Sequence, residues 1–221
     1  QEAGEAVQLQ LLEQACMAYG KKKQTGSRMA FVRKKAETVA VVGAGMAGLC
    51  TALELSVRGY HVTLLEKAAQ PGGRLLQVSE QQLAAADLEK DLKKIEQSGI
   101  TLETGHAVNE TGLQELLAQY DAVYVSAAAM EDMALDVAID RATLQTDMDK
   151  LFAGNSEQEG SSFITDASDG KKAAISIDRY LQKASLTLKR EQEGAFASNL
   201  FTRTEQIAPL AAVQPQAIHY T

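Results

Sequence analysis

The sequence is poor in the residues that hold metals and carry acid–base chemistry. It contains two cysteines, Cys16 and Cys50, and three histidines scattered along 221 residues. The cysteines form neither a C-x-x-C pair nor a zinc-ligand spacing, which excludes a dithiol redox centre and a cysteine-held iron–sulfur cluster built from these residues. We therefore predict no metal site and assign no catalytic residue.

The chain also lacks a basic excess and a long apolar run. Its formal net charge is -7, which argues against a nucleic-acid partner because phosphate binding needs a basic face. No stretch approaches the roughly 20 apolar residues that a membrane-spanning helix requires. The polar start of the sequence does not match a secretory signal. From these absences we expect a cytoplasmic protein without a membrane span.

The strongest positive feature is a dinucleotide-binding pattern at 38–67. A β-branched run at 39–42 is followed by an apolar helical pattern, and a second strand-like run at 60–65 ends on Glu66. This order is typical of a βαβ unit that binds a dinucleotide. Between the first strand and the helix stand glycines in G-x-G-x-x-G spacing, Gly43, Gly45 and Gly48.

Each of these residues has a mechanical reason to be there. Gly43 allows a sharp turn out of the strand, Gly45 leaves room for a pyrophosphate, and Gly48 lets the helix approach the sheet. The helix N-terminus then offers N–H groups and a partial positive charge to phosphates. Glu66, at the end of the second strand, can accept hydrogen bonds from ribose hydroxyls.

The rest of the pattern extends this unit into a doubly wound α/β sheet. A Pro-Gly-Gly turn at 71–75 follows the second strand, and we predict that it faces the cofactor. Further strands are predicted at 100–104, 121–126 and 151–154, with less regular extended pieces at 135–139 and 144–146. Helices are predicted at 1–19, 29–35 (a short helix or lead-in), 83–98, 112–119 and 163–183, and a small-residue turn at 127–129.

Four segments resemble a known flavoprotein family. They are VAVVGAGMAGL with LLEK, then PGGRL, YDAVYVSAAA, and LFAGN with the helix after it. Together they are similar to the FAD domain of the family that includes the small subunit of glutamate synthase, over roughly 38–180. The resemblance implies a Rossmann-like FAD-binding domain at 37–188, an N-terminal helical lead-in at 1–36 and an extended C-terminal arm at 189–221.

The same resemblance implies which residues hold the FAD. The glycines would hold the pyrophosphate, Glu66 the adenosine ribose, and the backbone of Val108 the adenine. Asn155 would contact the ribityl chain, and the helix that begins at Phe163 would face the flavin pyrimidine edge. The full predicted set is Gly43, Gly45, Met46, Ala47, Gly48, Glu66, Lys67, Gly73, Arg74, Leu75, Val108, Ala127, Gly154, Asn155, Phe163 and Ile164.

The sequence departs from the family pattern at two places. Asn155 stands where the family has an aspartate, so a hydroxyl contact survives while a charge is lost. The family also inserts an NAD(P)H-binding domain with its own glycine motif before the closing segment. Here only 130–143 lies in that place, which is too short for a second βαβ unit.

These departures lead to three hypotheses about function. The first is an FAD-binding electron-transfer subunit whose redox partner carries an iron–sulfur centre or a flavin, in a homo- or hetero-oligomer. The second is a stand-alone FAD enzyme that uses NAD(P)H or a small substrate directly. The third is a degenerate flavin fold with a structural or assembly role.

Overall fold

The computed structural model describes residues 12, 16, 32–79, 83–154 and 162–190. Apart from residues 12 and 16, all of these belong to one compact unit, Arg28–Arg190. The predicted helix at 1–19, nearly all of the arm at 189–221, and Asn155 lie outside the described residues.

A five-stranded parallel sheet forms the centre of this unit. The strands are β1 (Thr38–Val42), β2 (His61–Glu66), β3 (Thr101–Thr104), β4 (Ala122–Val125) and β5 (Leu151–Ala153). Their order across the sheet is β3-β2-β1-β4-β5, and each neighbouring pair is parallel. The predicted doubly wound α/β class is confirmed. The strand order reverses between β1 and β4, where sheets of this class bind ligands at the carboxyl ends of the strands.

Helices cover both faces of the sheet. They are α1 (Met46–Val57), α2 (Ala85–Glu96), α3 (Glu110–Gln119), α4 (Ala127–Met133) and α5 (Phe163–Leu181), and a 3₁₀ helix spans Gly73–Gln77. Residues of β1 alternate between two buried cores. Val39 and Val41 pack in the core that α1 and α5 share, while Ala40 and Val42 pack in the core beneath α3 and α4. This two-sided burial explains why β1 is apolar throughout.

Two of the predicted elements are wrong. The turn predicted at 127–129 is the first turn of α4, because the Ser126 side chain accepts a hydrogen bond from the N–H of Ala129 and caps a helix there. The segment 135–139 forms no strand and only an isolated bridge at Ile139. For 29–35 the sequence left a short helix or a lead-in open, and the described part, from residue 32 onward, is a non-helical lead-in to β1.

A polar cluster ties the residues that precede β1 and β2 to α5, at the amino ends of these strands. The Asp178 carboxylate accepts hydrogen bonds from Lys35 Nζ at 2.8 Å, Tyr60 Oη at 2.6 Å and Gln182 Nε2 at 2.6 Å. Arg58 Nη1 lies 3.2 Å from its second oxygen. Burial by itself raises the pKa of Asp178, but these donors outweigh it and hold the pKa below its ordinary value.

Candidate dinucleotide site

The three glycines of the first turn meet different surroundings. Gly43 has φ of +96°, and a Cβ there would lie 2.1 Å from Ser126 Oγ. A Cβ at Gly48 would lie 1.8 Å from the carbonyl oxygen of Gly43, so the helix touches the turn that precedes it. A Cβ at Gly45 would meet nothing within 4 Å. Two of the glycines are therefore needed for packing, while Gly45 faces open space that a phosphate group can enter.

The N-terminus of α1 begins at this open position. Gly45 is the N-cap residue, and no side chain caps the helix. Met46 and Ala47 form the start of its first turn and are half-buried. A helix end whose N–H groups are not capped by a side chain is suited to bind an anion, because those N–H groups and the helix dipole both favour negative charge.

Glu66 lies at the end of β2, next to the glycine turn. Its Oε2 accepts a hydrogen bond from the N–H of Ala44 at 2.6 Å, and its Oε1 accepts one from the N–H of Ala68 at 2.9 Å. The residue is 7% exposed. A carboxylate has about four acceptor positions, so both oxygens keep capacity for ribose hydroxyls while the backbone fixes their orientation.

The Pro-Gly-Gly turn lies against the glycine turn, as a cofactor-facing loop requires. The N–H of Gly72 donates to the carbonyl oxygen of Ala44 at 2.8 Å. A Cβ at Gly73 would lie 3.2 Å from the Cα of Gly45. Gly73 has φ of +52°, which glycine adopts without strain. Leu75, in the 3₁₀ helix that follows, is buried and anchors the turn to the core.

The N-terminus of α5 is tied to the same turn. Arg74 Nη2 lies 2.6 Å from Asp166 Oδ2, and the guanidinium carbon is 5.8 Å from the centre of the Phe163 ring. Ser162 caps α5 in a reciprocal capping box with Thr165. The beginning of α5 therefore stands across the Pro-Gly-Gly turn from β2.

The first residue of α5 is half-buried, whereas the second is not. Ile164 is 82% exposed. The sequence analysis predicted Ile164 as a site residue from the family resemblance, whereas its exposure is visible only in the structure.

The carboxyl ends of β4 and β5 close the floor of the site. A Cβ at Gly154 would lie 2.8 Å from the backbone nitrogen of Ala127 and 3.1 Å from Tyr124 Oη. The N–H of Gly154 donates to the carbonyl oxygen of Val125 at 2.8 Å. Tyr124 is fully buried, and among the described residues its hydroxyl has no hydrogen-bond partner. Burial raises the pKa of this phenol well above its ordinary value.

Other predicted site residues lie further from this centre. The Lys67 Nζ forms an ion pair with Asp132 Oδ2 of α4 at 2.5 Å. Val108 is half-buried in the loop before α3. A cavity of about 500 Å³ lies beside the Pro-Gly-Gly turn and β3. It is lined by Ala69, Gln70, Pro71, Ile100, Leu102 and Thr104, and so it does not include the open side of Gly45.

Sequence reasoning missed three residues of this site: Ser126, Asp166 and Tyr124. Ser126 could have been found, because a serine directly after a strand and before small residues is a helix-start signal. Asp166 carries no such signal, since only the fold brings it to Arg74. The unpartnered hydroxyl of Tyr124 is likewise visible only in the packed core.

The arrangement fits a dinucleotide with a flavin. The open side of Gly45 and the uncapped start of α1 suit a pyrophosphate, and the fixed carboxylate of Glu66 suits a ribose. An FAD would be held by these residues together with the Pro-Gly-Gly turn and the start of α5. Among residues 32–79, 83–154 and 162–190, no group of His, Cys, Asp and Glu could hold a metal ion. No helix in the described part of the chain is long and apolar enough to span a membrane.

Known proteins are similar to this chain over part of its length. Residues 41–89 match the family model of an NAD(P)-binding Rossmann-like domain. The NAD-dependent dihydropyrimidine dehydrogenase subunit PreT of Escherichia coli K12 is 38% identical over 90 residues, which is 40% of this chain and 22% of that protein. The NADPH-type glutamate synthase small chain of Bacillus subtilis is 32% identical over 105 residues, covering 47% of this chain and 21% of that protein.

A third relative is the beta subunit of the NADP(+)-dependent formate dehydrogenase of Moorella thermoacetica. It is 29% identical over 117 residues, which is 52% of this chain and 16% of that protein. The chain thus spans about a fifth of the length of these relatives, each of which is a component of an oxidoreductase. The similarity to the FAD/NAD(P)H oxidoreductases that include the glutamate synthase small subunit is thereby confirmed over a stretch that contains the βαβ unit.

Proposed function

We propose that the chain is an FAD-binding component of a larger oxidoreductase and passes electrons between its flavin and the redox centre of a partner protein. The proposal rests on one observation: three segments of the chain come together at the carboxyl ends of the strands. The glycine turn, the Pro-Gly-Gly turn and the start of α5 come together there, joined by the Gly72–Ala44 hydrogen bond and the Arg74–Asp166 ion pair.

The chain's own residues have separate tasks in this proposal. The N–H groups at the start of α1 bind the pyrophosphate, and Glu66 orients the ribose. The Pro-Gly-Gly turn covers the cofactor with bare backbone. The start of α5 offers N–H groups and a positive dipole end to the flavin. A bound flavin would supply the one- and two-electron chemistry, which no side chain here can provide.

The content of the 221 residues favours an electron partner outside this stretch. They carry one G-x-G-x-x-G motif and no redox cysteine pair, so a flavin held here has no nicotinamide site of its own within this sequence. The relatives named above are subunits or chains of oxidoreductases. Both facts favour electron exchange with another protein, for which an iron–sulfur or flavin centre is the simplest acceptor or donor.

A second candidate is that the site binds NAD(P) instead of FAD. It is favoured by the matching family model, which is described as NAD(P)-binding. The glycine turn and Glu66 would serve either dinucleotide, since both share an adenosine and a pyrophosphate. The Pro-Gly-Gly turn and the start of α5 favour FAD, because an adenosine and a pyrophosphate alone do not need these two additional segments.

A visible spectrum separates these candidates. The purified chain is mixed with excess FAD, passed through a desalting column and scanned, and the same protein is titrated with NADH and followed by its fluorescence. We expect retained flavin absorbance and weak NADH binding. A colourless protein that binds NADH would support the second candidate, and a protein that retains neither would support a structural role.

If the flavin is retained, its electron donor is tested next. NADH or NADPH is added under anaerobic conditions to the flavin-loaded chain without any partner. We expect slow bleaching or none, since the 221 residues carry no second G-x-G-x-x-G motif that would hold a nicotinamide cofactor. Rapid bleaching would instead support a stand-alone enzyme that takes hydride directly from NAD(P)H.

A further inference from the structure

We propose that Asp166 competes with the diphosphate of the bound dinucleotide for the guanidinium of Arg74. In the protein without cofactor Asp166 holds the Arg74 guanidinium, and on binding Arg74 moves to the diphosphate. The inference deepens the proposed function, because it rests on the site binding a dinucleotide. It adds a residue, Asp166, that sets the affinity without itself contacting the phosphates.

The position of Arg74 relative to the glycine turn is the first support. Gly73, its neighbour, is in backbone contact with Gly45, because a Cβ on Gly73 would lie 3.2 Å from the Cα of Gly45. Gly45 is the glycine whose open side suits a phosphate. Arg74 therefore directly follows the residue that lies against the proposed phosphate position.

The ion pair itself is the second support. Arg74 Nη2 and Asp166 Oδ2 are 2.6 Å apart, and the side chains are 57% and 23% exposed. An ion pair that is open to water on one side contributes little to stability, so its exchange costs little. A diphosphate carries more charge than a carboxylate and matches the guanidinium fork, which makes it the better partner.

Asp166 also remains stabilised when Arg74 leaves it. It lies in the first turn of α5, where the helix dipole favours negative charge. The centre of the Phe163 ring lies 5.8 Å from the Arg74 guanidinium carbon. The exchange thus leaves no charge buried without a partner.

A simple latch is the alternative to an exchange. If the Arg74–Asp166 pair only fastened the Pro-Gly-Gly turn to α5, removing either partner would loosen the site and weaken binding equally. In an exchange the two substitutions have opposite effects. Loss of Arg74 removes a phosphate ligand, whereas loss of the Asp166 charge removes the competitor.

The test compares Arg74→Gln, Asp166→Asn and the double variant with Lys93→Gln. Lys93 is a matched control because it forms an exposed ion pair of the same 2.6 Å length with Glu89 on α2. The probes are FAD, followed by flavin fluorescence, and ADP and adenosine, followed by calorimetry. ADP carries the diphosphate without the flavin, and adenosine carries neither.

We expect Arg74→Gln to weaken FAD and ADP about tenfold, as loss of a charge-assisted hydrogen bond does. Asp166→Asn should tighten both about threefold, in line with the modest strength of such pairs. The double variant should match Arg74→Gln alone, because the proposed competition by Asp166 acts through Arg74. Adenosine binding should be unchanged in every variant, and Lys93→Gln should behave as wild type throughout.

Two outcomes would overturn the exchange: weaker ADP binding in Asp166→Asn, which indicates a latch, or wild-type binding in Arg74→Gln. Thermal unfolding of each variant shows whether a loss of binding reflects a loss of folding. Failure of the proposed function has a different appearance. If FAD does not bind at all but ADP responds as expected, the exchange stands and the flavin assignment is wrong.

Discussion

Gly48→Ala and Gly45→Ala each add one methyl group, at positions three residues apart, yet we expect different effects. The first should lower stability, and the second should weaken cofactor binding. At Gly48 the added Cβ would lie 1.8 Å from the Gly43 carbonyl oxygen, whereas ordinary contacts begin near 3.4 Å. The backbone must therefore shift by more than 1 Å in a region where β1, α1 and β4 meet. Overpacking of a rigid core costs about 1–3 kcal/mol, and a clash with backbone belongs at or above the upper end of that range.

At Gly45 the same methyl group meets nothing within 4 Å. Its φ of -76° is accessible to alanine, so the free energy of unfolding should change by less than about 1 kcal/mol. The methyl group instead fills the space that the proposed pyrophosphate needs. Loss of even one backbone hydrogen bond to a charged phosphate should weaken FAD binding about tenfold or more.

Urea unfolding followed by circular dichroism, together with FAD titration, measures both effects. Gly112→Ala in α3 is the control, because a Cβ there only reaches ordinary contact at 3.4 Å and alanine favours helix. Its stability should equal or exceed that of wild type. A Gly48→Ala protein with the wild-type urea midpoint would refute the packing argument, and a Gly45→Ala protein with wild-type FAD affinity would refute the placement of the phosphate.

Three further predictions concern single side chains. The pKa of Asp178 lies below its ordinary value, so its contribution to stability is fully present above about pH 4 and is lost as the pH falls through its lower folded pKa. Asp178→Asn should therefore unfold more easily than wild type at pH 7, and the difference in the free energy of unfolding should shrink below pH 4 in urea titrations. A difference that stays constant with pH would contradict this. Tyr124→Phe removes a buried hydroxyl that has no partner among the described residues, so it should leave stability unchanged or raise it by about 1–3 kcal/mol; a clear loss of stability would mean that the hydroxyl is bonded. Glu66→Gln replaces one of the two carboxylate oxygens that accept hydrogen bonds from the N–H groups of Ala44 and Ala68. It should lower the free energy of unfolding by about 1–3 kcal/mol and weaken FAD binding. Unchanged thermal unfolding would show that the lost hydrogen bond is dispensable.

The sequence predicted the βαβ unit well because its signals are local. The apolar run of β1, the glycine spacing and the terminal Glu66 all lie within one stretch, and each fixes a backbone geometry that depends on few distant contacts. The doubly wound class also followed, since a parallel strand requires a crossover, and crossovers of one hand leave few arrangements. The strand order itself, β3-β2-β1-β4-β5, came from the structure.

The errors fall where tertiary contacts outweigh local pattern. Ser126, directly before Ala127–Met133, is the helix-start residue of this segment. The small side chains that follow it suggested a turn. The helix forms because Ser126 caps it and Met130 is buried in the core beneath α3 and α4. The apolar run at 135–139 suggested a strand, but the described structure pairs only Ile139, in an isolated bridge with Thr146.

By itself, the sequence determined the class of fold and the dinucleotide turn, since both depend on residue spacing and on the steric freedom of glycine. The tertiary structure supplied the distances behind the predicted glycine roles: an added Cβ would clash at Gly43 and Gly48 but would meet nothing within 4 Å at Gly45. It also brought Arg74 against Asp166, 92 positions apart in the chain, and buried the Tyr124 hydroxyl completely, near Thr51 and the carboxylate of Asp169. Such meetings depend on how helices from distant segments pack across one sheet, and no local pattern encodes them.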